Sequence, residues 1–368
     1  MTTYLRAPEA ARRLGVTTAT LYSYVSRGRI GRTLGSDGRS SLFDLADVDA
    51  LIASSSRPVP PPPTIDVRIS TSITNLDESG VRYRGVLLED LVDEPFERVC
   101  GLLWNGSLGE HHRVAESHAL PPHGSSPLNV LAIIRMAVDI DPDLDPIDAA
   151  TRLLDAIVRT EHGGSPHALY ADRLIRCWVD DPSPQLTRAV NSTLVLLADH
   201  GLATSTLAVR VAASVRTSPI ASLIAGLATV EGELHGAASS HVLRLFEQVE
   251  ADGAVSVLQE YRCSKRRVPG FGHKIYRNRD PRFQLLLDRV RALPDQRGRL
   301  SVVDDTIDAA GALVSRPPNV DLALGALAYV ADLPADLPVF AVARIAGWTA
   351  HHLEELQESP VRFRGLAN

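Results

Sequence analysis

The chain has 368 residues, 45% of them hydrophobic and 22% charged, with a formal net charge of −6. That length suits about two or three domains, and no run nears the roughly 18 uninterrupted apolar residues of a membrane-spanning helix. The start MTTYLRAPEAARR lacks the apolar core of a secretory signal, and Cys100, Cys177 and Cys263 form neither a disulfide framework nor a metal-binding pair, so a cytoplasmic protein with reduced thiols is expected.

Aromatic residues make up only 5%, and Leu and Ala recur at helical spacing in almost every segment, which predicts a mostly α fold. Charge is divided unevenly. Residues 1–57 carry eight arginines against five acidic residues, a balance of +3, whereas the remainder carries −9. A basic head on an acidic body points to an anionic partner for the head alone.

In the head, Ala7-Pro8-Glu9 predicts a helix start, with proline in the first turn, an acidic residue near the positive end of the dipole, and Ala10, Ala11 and Leu14 as the apolar face. Gly15 permits a turn, and Val16 packs beneath a second helix capped by Thr17 or Thr18. On that helix Leu21 and Val25 face inward, with Thr20, Tyr22, Ser23, Tyr24 and Arg27 outward. A β-hairpin wing with Arg29, Arg32 and Arg39 follows, turned at Asp37-Gly38, and then a third helix from Ala46 to Ile52. Residues 1–53 thereby resemble the MerR and excisionase-type winged helix-turn-helix family. The resemblance implies DNA as a partner, contacted through Thr20, Tyr22, Ser23, Arg27, Arg29 and Arg32. A head used only for packing is the plainer reading, and because phosphate neutralisation supplies most non-specific affinity, +3 predicts weak binding by one copy. Residues 54–64, SSSRPVPPPPT, predict an extended linker reaching about 3 Å per residue.

The body, residues 65–368, carries His200 in ADHGLATST, His235 in GELHGAA, His273 and Arg282 in GFGHKIYRNRDPR, Asp321 in PPNVDLALG, Arg344 in VARIAG, and Arg362 near the end. Three imidazoles, one carboxylate and three guanidiniums suit carbon–carbon bond formation on a dianionic keto acid. A thioester methyl is a very weak carbon acid, so a carboxylate with an ordinary pKa of about 4 removes its proton only if a fixed donor stabilises the enolate. Gripping two carboxylates and polarising a ketone asks for arginines and a further histidine.

These motifs, with SGVRYRGVLLEDL (79–91) and FERVCGLLWNG (96–106), resemble the citrate synthase family from residue 79 to the C-terminus. The resemblance implies an all-helical body with a large domain and a small domain at about residues 237–345. It implies acetyl-CoA or propionyl-CoA condensing with oxaloacetate to give citrate or 2-methylcitrate and CoA. Asp321 would then be the base, His235 the donor to the thioester carbonyl, and His273 the group polarising the ketone. His200, Arg282, Arg344 and Arg362 would bind oxaloacetate, the last from the other subunit of a homodimer with shared sites. Phe363 stands where the family has proline between two arginines, which leaves Arg362 and Arg364 both open as that residue.

Plainer readings stand beside these. His235 is also suited to a helix cap, Asp321 to capping LALGALAYV, and Arg344 to a buried ion pair. His162, His167, His241, His351 and His352 match no motif, so no metal is expected. PGFGH lacks a following P-loop lysine and serine; its glycines suit close approach to CoA, which enters as a substrate with no separate cofactor. HGAAS replaces the usual HGGAN, ADHGLATST the usual ADHELNAST, and the segments between Gly106 and Thr151 and at 161–173 are compressed. Two function classes follow: an enzyme, or a DNA-binding regulator whose synthase-like body senses oxaloacetate, citrate or acyl-CoA. In the second, paired heads on spacers of roughly 25 Å could span half-sites about 34 Å apart. A binding-only protein needs the arginines but not Asp321, which places catalysis first.

Overall fold

A computed structural model describes residues 4–14, 16–35, 40–55, 69–77, 80–109, 128–158, 168–232, 238–273, 275–276, 278–335 and 337–363. The chain divides into two compact units, Met1–Arg68 and Ile69–Asn368. Residues 56–64 of the proline-rich linker, the Asp37-Gly38 turn, His235 and Arg364 lie outside the described residues, and Ser54 and Ser55, read as linker, belong to the helix before it.

In the first unit, β1 (Tyr4–Arg6) leads into α1 (Ala7–Leu14) and α2 (Thr18–Ser26), followed by β2 (Thr33–Leu34), β3 (Ser41–Asp44) and α3 (Leu45–Ser55). Thr17 caps α2, its side chain accepting the Thr20 N–H at 3.2 Å. The wing forms, but as a three-stranded antiparallel sheet of order β1-β3-β2, with Leu5 opposite Phe43 and Leu34 opposite Ser41. β1 was not legible, being three residues long with no alternation to display. Ala10, Ala11, Leu21, Ile30, Phe43, Val48 and Leu51 make the core, and Val16 and Val25 pack on it as expected. Tyr24 corrects the reading of an outward face, because it is partly buried against that core with the Arg29 guanidinium over its ring at 5.6 Å. The third helix runs three residues past Ile52.

The second unit is helical apart from a small antiparallel sheet, β4 (Thr74–Asp77), β5 (Gly80–Tyr83) and β6 (Val86–Leu87). Its described helices are α4 (Leu88–Leu91), α5 (Phe96–Asn105), α6 (Val130–Val138), α7 (Pro146–Ile157), α8 (Tyr170–Ile175), α9 (Pro184–Leu197), α10 (Thr204–Ser214) and α11 (Pro219–Glu231). After them come α12 (Ala238–Asp252), α13 (Ala254–Cys263), α14 (Pro281–Arg291), α15 (Arg299–Leu313), α16 (Val320–Val330) and α17 (Val339–Leu356). Four of these begin with a capping side chain followed by proline: Asp145-Pro146, Ser183-Pro184, Ser218-Pro219 and Asp280-Pro281. The cap satisfies an orphan N–H and proline takes a position that needs none. α17 is buried along most of its length from Val339 to Glu355, which marks it as the central helix of the unit. Gly347 lets it touch the end of α9, its N–H reaching the Ala198 carbonyl at 3.0 Å where a Cβ would strike Asp199. No helix among the described residues is long and apolar enough to cross a membrane.

Candidate active site

One wall of the site is the turn after α9. Asp199 is buried and accepts hydrogen bonds from Thr74 Oγ1 (2.5 Å) and the Gly201 N–H (2.8 Å), while His351 Nε2 lies 3.3 Å from its other oxygen. Tyr83 donates to the Asp199 carbonyl at 2.9 Å. Burial acts to raise the Asp199 pKa, but His351, Arg344 and Thr74 outweigh it and keep the group ionised. This web fixes the backbone of His200, whose ring is buried with Nε2 unpartnered among the described residues. Arg344 projects from α17, only 1% exposed, with its guanidinium carbon 4.7 Å over the Phe340 ring and its Nε and Nη1 unpartnered. A buried ion pair is therefore not what occupies those two nitrogens.

The facing wall is a strap, residues 270–273, tied to the start of α16. Gly272 N–H binds the Pro317 carbonyl (2.8 Å), Asn319 N–H binds the Gly270 carbonyl (2.9 Å), and Asn319 Nδ2 binds the Gly272 carbonyl (2.9 Å). Gly270 and Gly272 have φ of 78° and 84°, and a Cβ on Gly270 would sit 2.8 Å from Leu322. The strap thus needs glycine for both conformation and closeness. Asn319, not Asp321, caps α16, its side chain accepting the Asp321 N–H at 3.0 Å. The Asp321 side chain is left partly buried in the first turn, and no described residue hydrogen-bonds its carboxylate. Burial raises its pKa, opposed by Arg282.

His273 Nδ1 accepts the N–H groups of Ile275 (3.1 Å) and Tyr276 (3.3 Å), which places the ring proton on Nε2. The strap brings this ring against the first wall: His273 and His200 have centroids 5.1 Å apart, and Tyr276 lies 5.4 Å from His200 and 4.8 Å from His273. Burial and nearby guanidiniums hold both histidines below the ordinary imidazole range, so both are neutral near pH 7. Arg282 lies 4.9 Å over Tyr276 and is paired through Nε and Nη2 with Asp280 (2.9 and 2.8 Å). Asp280 also accepts the Val320 N–H at 3.0 Å, which anchors α14 to α16. Asp280 and Tyr276 escaped the sequence reading, although Asp280-Pro281 is a legible helix start.

The structure therefore brings His200, His273, Arg282, Arg344 and Asp321 into one electrostatic neighbourhood. It does not bring Arg362 there within the chain. Glu355 holds Arg362 through Nε and Nη2 at 2.7 and 2.6 Å, and also holds Arg210, whose Nη1 is 2.9 Å from His351 Nδ1. A cavity of about 530 Å³ adjoins the strap, lined by Phe271, Asn278, Ile307, Gly311, Arg316 and Pro318 among others. Among the described residues, no group of three or more His, Cys, Asp or Glu side chains is placed to hold a metal. In the head, Tyr22, Arg27, Arg29 and Arg32 are exposed, while Thr20 and Ser23 are partly buried and Thr20 Oγ1 sits 2.9 Å from the capping hydroxyl of Thr17.

A family model for the C-terminal domain of citrate synthase matches residues 149–364, and one for a helix-turn-helix domain matches residues 4–56. The citrate synthase of Mycolicibacterium smegmatis is 29% identical over 322 residues, covering 76% of this chain and 86% of its own. The 2-methylcitrate synthase of Mycobacterium tuberculosis is 27% identical over 319 residues, covering 75% and 81%. Among solved structures, citrate synthase from Thermotoga maritima superposes with a TM-score of 0.67 at 22% identity, covering 82% of this chain and 92% of that one, which shows a shared fold. A Thermoplasma acidophilum citrate synthase, solved with carboxymethyl coenzyme A and oxaloacetate, gives 0.60 at 20% identity, covering 82% and 93%.

Proposed function

This chain belongs to the citrate synthase family and is an enzyme of that type, and from that premise we propose that it condenses an acetyl or propionyl thioester of CoA with oxaloacetate. The carrying observation is Arg344, which is buried with two unpartnered donor nitrogens beside two neutral imidazoles, an arrangement suited to a small dianion. In this reading the Asp321 carboxylate accepts the proton from the thioester α-carbon, and the resulting enolate attacks the keto carbon of oxaloacetate. His273 Nε2–H stabilises and protonates the keto oxygen. Water then cleaves the thioester, giving citrate or 2-methylcitrate and free CoA. His235 is assigned by resemblance to the thioester carbonyl. The cavity beside the strap suits the body of CoA, since its lining residues reach Pro318, just before Asn319 and Asp321.

The binding-only regulator is not the favoured reading, because relatives matched over three quarters of the chain are named as synthases. DNA binding by the head remains part of the proposal and is supported by its exposed Arg27, Arg29 and Arg32. A homodimer is proposed as well. Exposed Val211 and Val215 at the end of α10, next to Val361, whose N–H binds the Ser214 carbonyl, form an apolar surface suited to a second copy. The deciding measurement is thiol release on mixing the protein with oxaloacetate and each acyl-CoA in turn. Release with one or both is expected, and none with either overturns the condensation.

A further inference from the structure

We propose that Tyr276 is a further substrate-contacting residue, its hydroxyl donating a hydrogen bond to a carboxylate of the keto dicarboxylate. The inference rests on the oxaloacetate pocket proposed above. Tyr276 is 9% exposed, and its hydroxyl oxygen is buried with no partner among the described residues. A buried hydroxyl without a partner has lost its water and gained nothing, so it calls for an explanation.

The described neighbours do not supply a partner. Arg282, lying over the Tyr276 ring, is a donor only and has two of its nitrogens committed to Asp280. His273 has Nδ1 occupied by backbone N–H groups, and its remaining nitrogen carries a proton. The ring is meanwhile packed against both histidines and the guanidinium, which fixes where the hydroxyl stands. Burial, partly opposed by Arg282, pushes the phenol up to about 12, so it is protonated and able to donate.

The Asp280 pairing gives the donation its use. Because Asp280 neutralises much of the Arg282 charge, Arg282 grips a substrate carboxylate less firmly than a free guanidinium would, and a dianion beside it needs another donor. Tyr276, His200 Nε2 and the two free Arg344 nitrogens form one set of unsatisfied groups in one place, and a keto dicarboxylate brings five oxygens to it.

The test is Tyr276→Phe, which removes one oxygen and keeps the ring. Oxaloacetate binding is read by calorimetry and turnover by thiol release. The Kd and KM for oxaloacetate should rise roughly tenfold or more, with the KM for acyl-CoA unchanged, as follows from losing a hydrogen bond to a charged group. The Tm of the ligand-free variant should stay level or rise, since an unsatisfied buried oxygen has gone. An unchanged oxaloacetate Kd, in a wild type that binds oxaloacetate and releases thiol, overturns the assignment of Tyr276. A fall in ligand-free Tm with unchanged Kd does so too, by showing a structural hydroxyl. A wild type that does not bind oxaloacetate overturns the pocket itself.

Discussion

Asp321 owes its raised pKa to burial, against the pull of Arg282. The cap it could have supplied is made by Asn319, so its carboxylate is not committed to the backbone, and burial raises its affinity for a proton. Replacing it in Asp321→Ala should lower CoA release by about 10²–10⁴-fold, the usual span for a general base, while the oxaloacetate Kd stays near that of the wild type. In the wild type, kcat should climb with pH as this carboxyl ionises, at a pH above the ordinary value of about 4 for aspartate, since only the ionised form accepts a proton. A flat profile there, or normal turnover in the variant, removes Asp321 as the base. Asp321 was singled out by the resemblance of its motif to a family, whereas the Asp280–Arg282 pair and the central place of Tyr276 had no such signal. Both are contacts made by tertiary folding, with no periodicity to announce them.

At the scale of elements, helix starts were the most legible signals, because capping and proline act within a few residues of one another. The sheet over residues 74–87 was not foreseen, since two- to four-residue strands show too little alternation to separate from loop. The strap and α16 form the pairing that matters for the chemistry, with Asn319 as its double fastener, accepting at one end and donating at the other. Asn319→Ala should cost about 1–2 kcal/mol of stability from the lost cap alone, read in denaturant unfolding. Asn319→Asp keeps an acceptor for the Asp321 N–H but has no proton for the Gly272 carbonyl. It should recover most of the stability and still lose turnover. Full activity in Asn319→Asp would show that the bond to Gly272 does not hold the site.

For the whole molecule, the charge asymmetry and the proline stretch placed a boundary at residues 54–64, and the two compact units meet at residues 68 and 69. The residues proposed for the chemistry all fall in the second unit. Removing residues 1–57 should therefore leave thiol release nearly unchanged while abolishing retention on duplex DNA at low salt. Turnover lost with the fold intact would make the head part of the enzyme, and a wild type that never binds DNA would end the nucleic-acid reading. The two faces around the pocket have a further consequence. On one side His273, Tyr276, Arg282 and Asp321 are stitched together through Asn319 and Asp280, and on the other Asp199 fixes the turn that carries His200 while Gly347 of α17, the helix of Arg344, binds the neighbouring Ala198 carbonyl; the rings of His200, His273 and Tyr276 meet between them. Each face is tied within itself by hydrogen bonds, and α14 also packs on α9 across the two. In the proposed reaction the proton acceptor Asp321 and the proton donor His273 thus stand on one hydrogen-bonded face, and Asn319 sets their spacing independently of the face that carries His200 and Arg344.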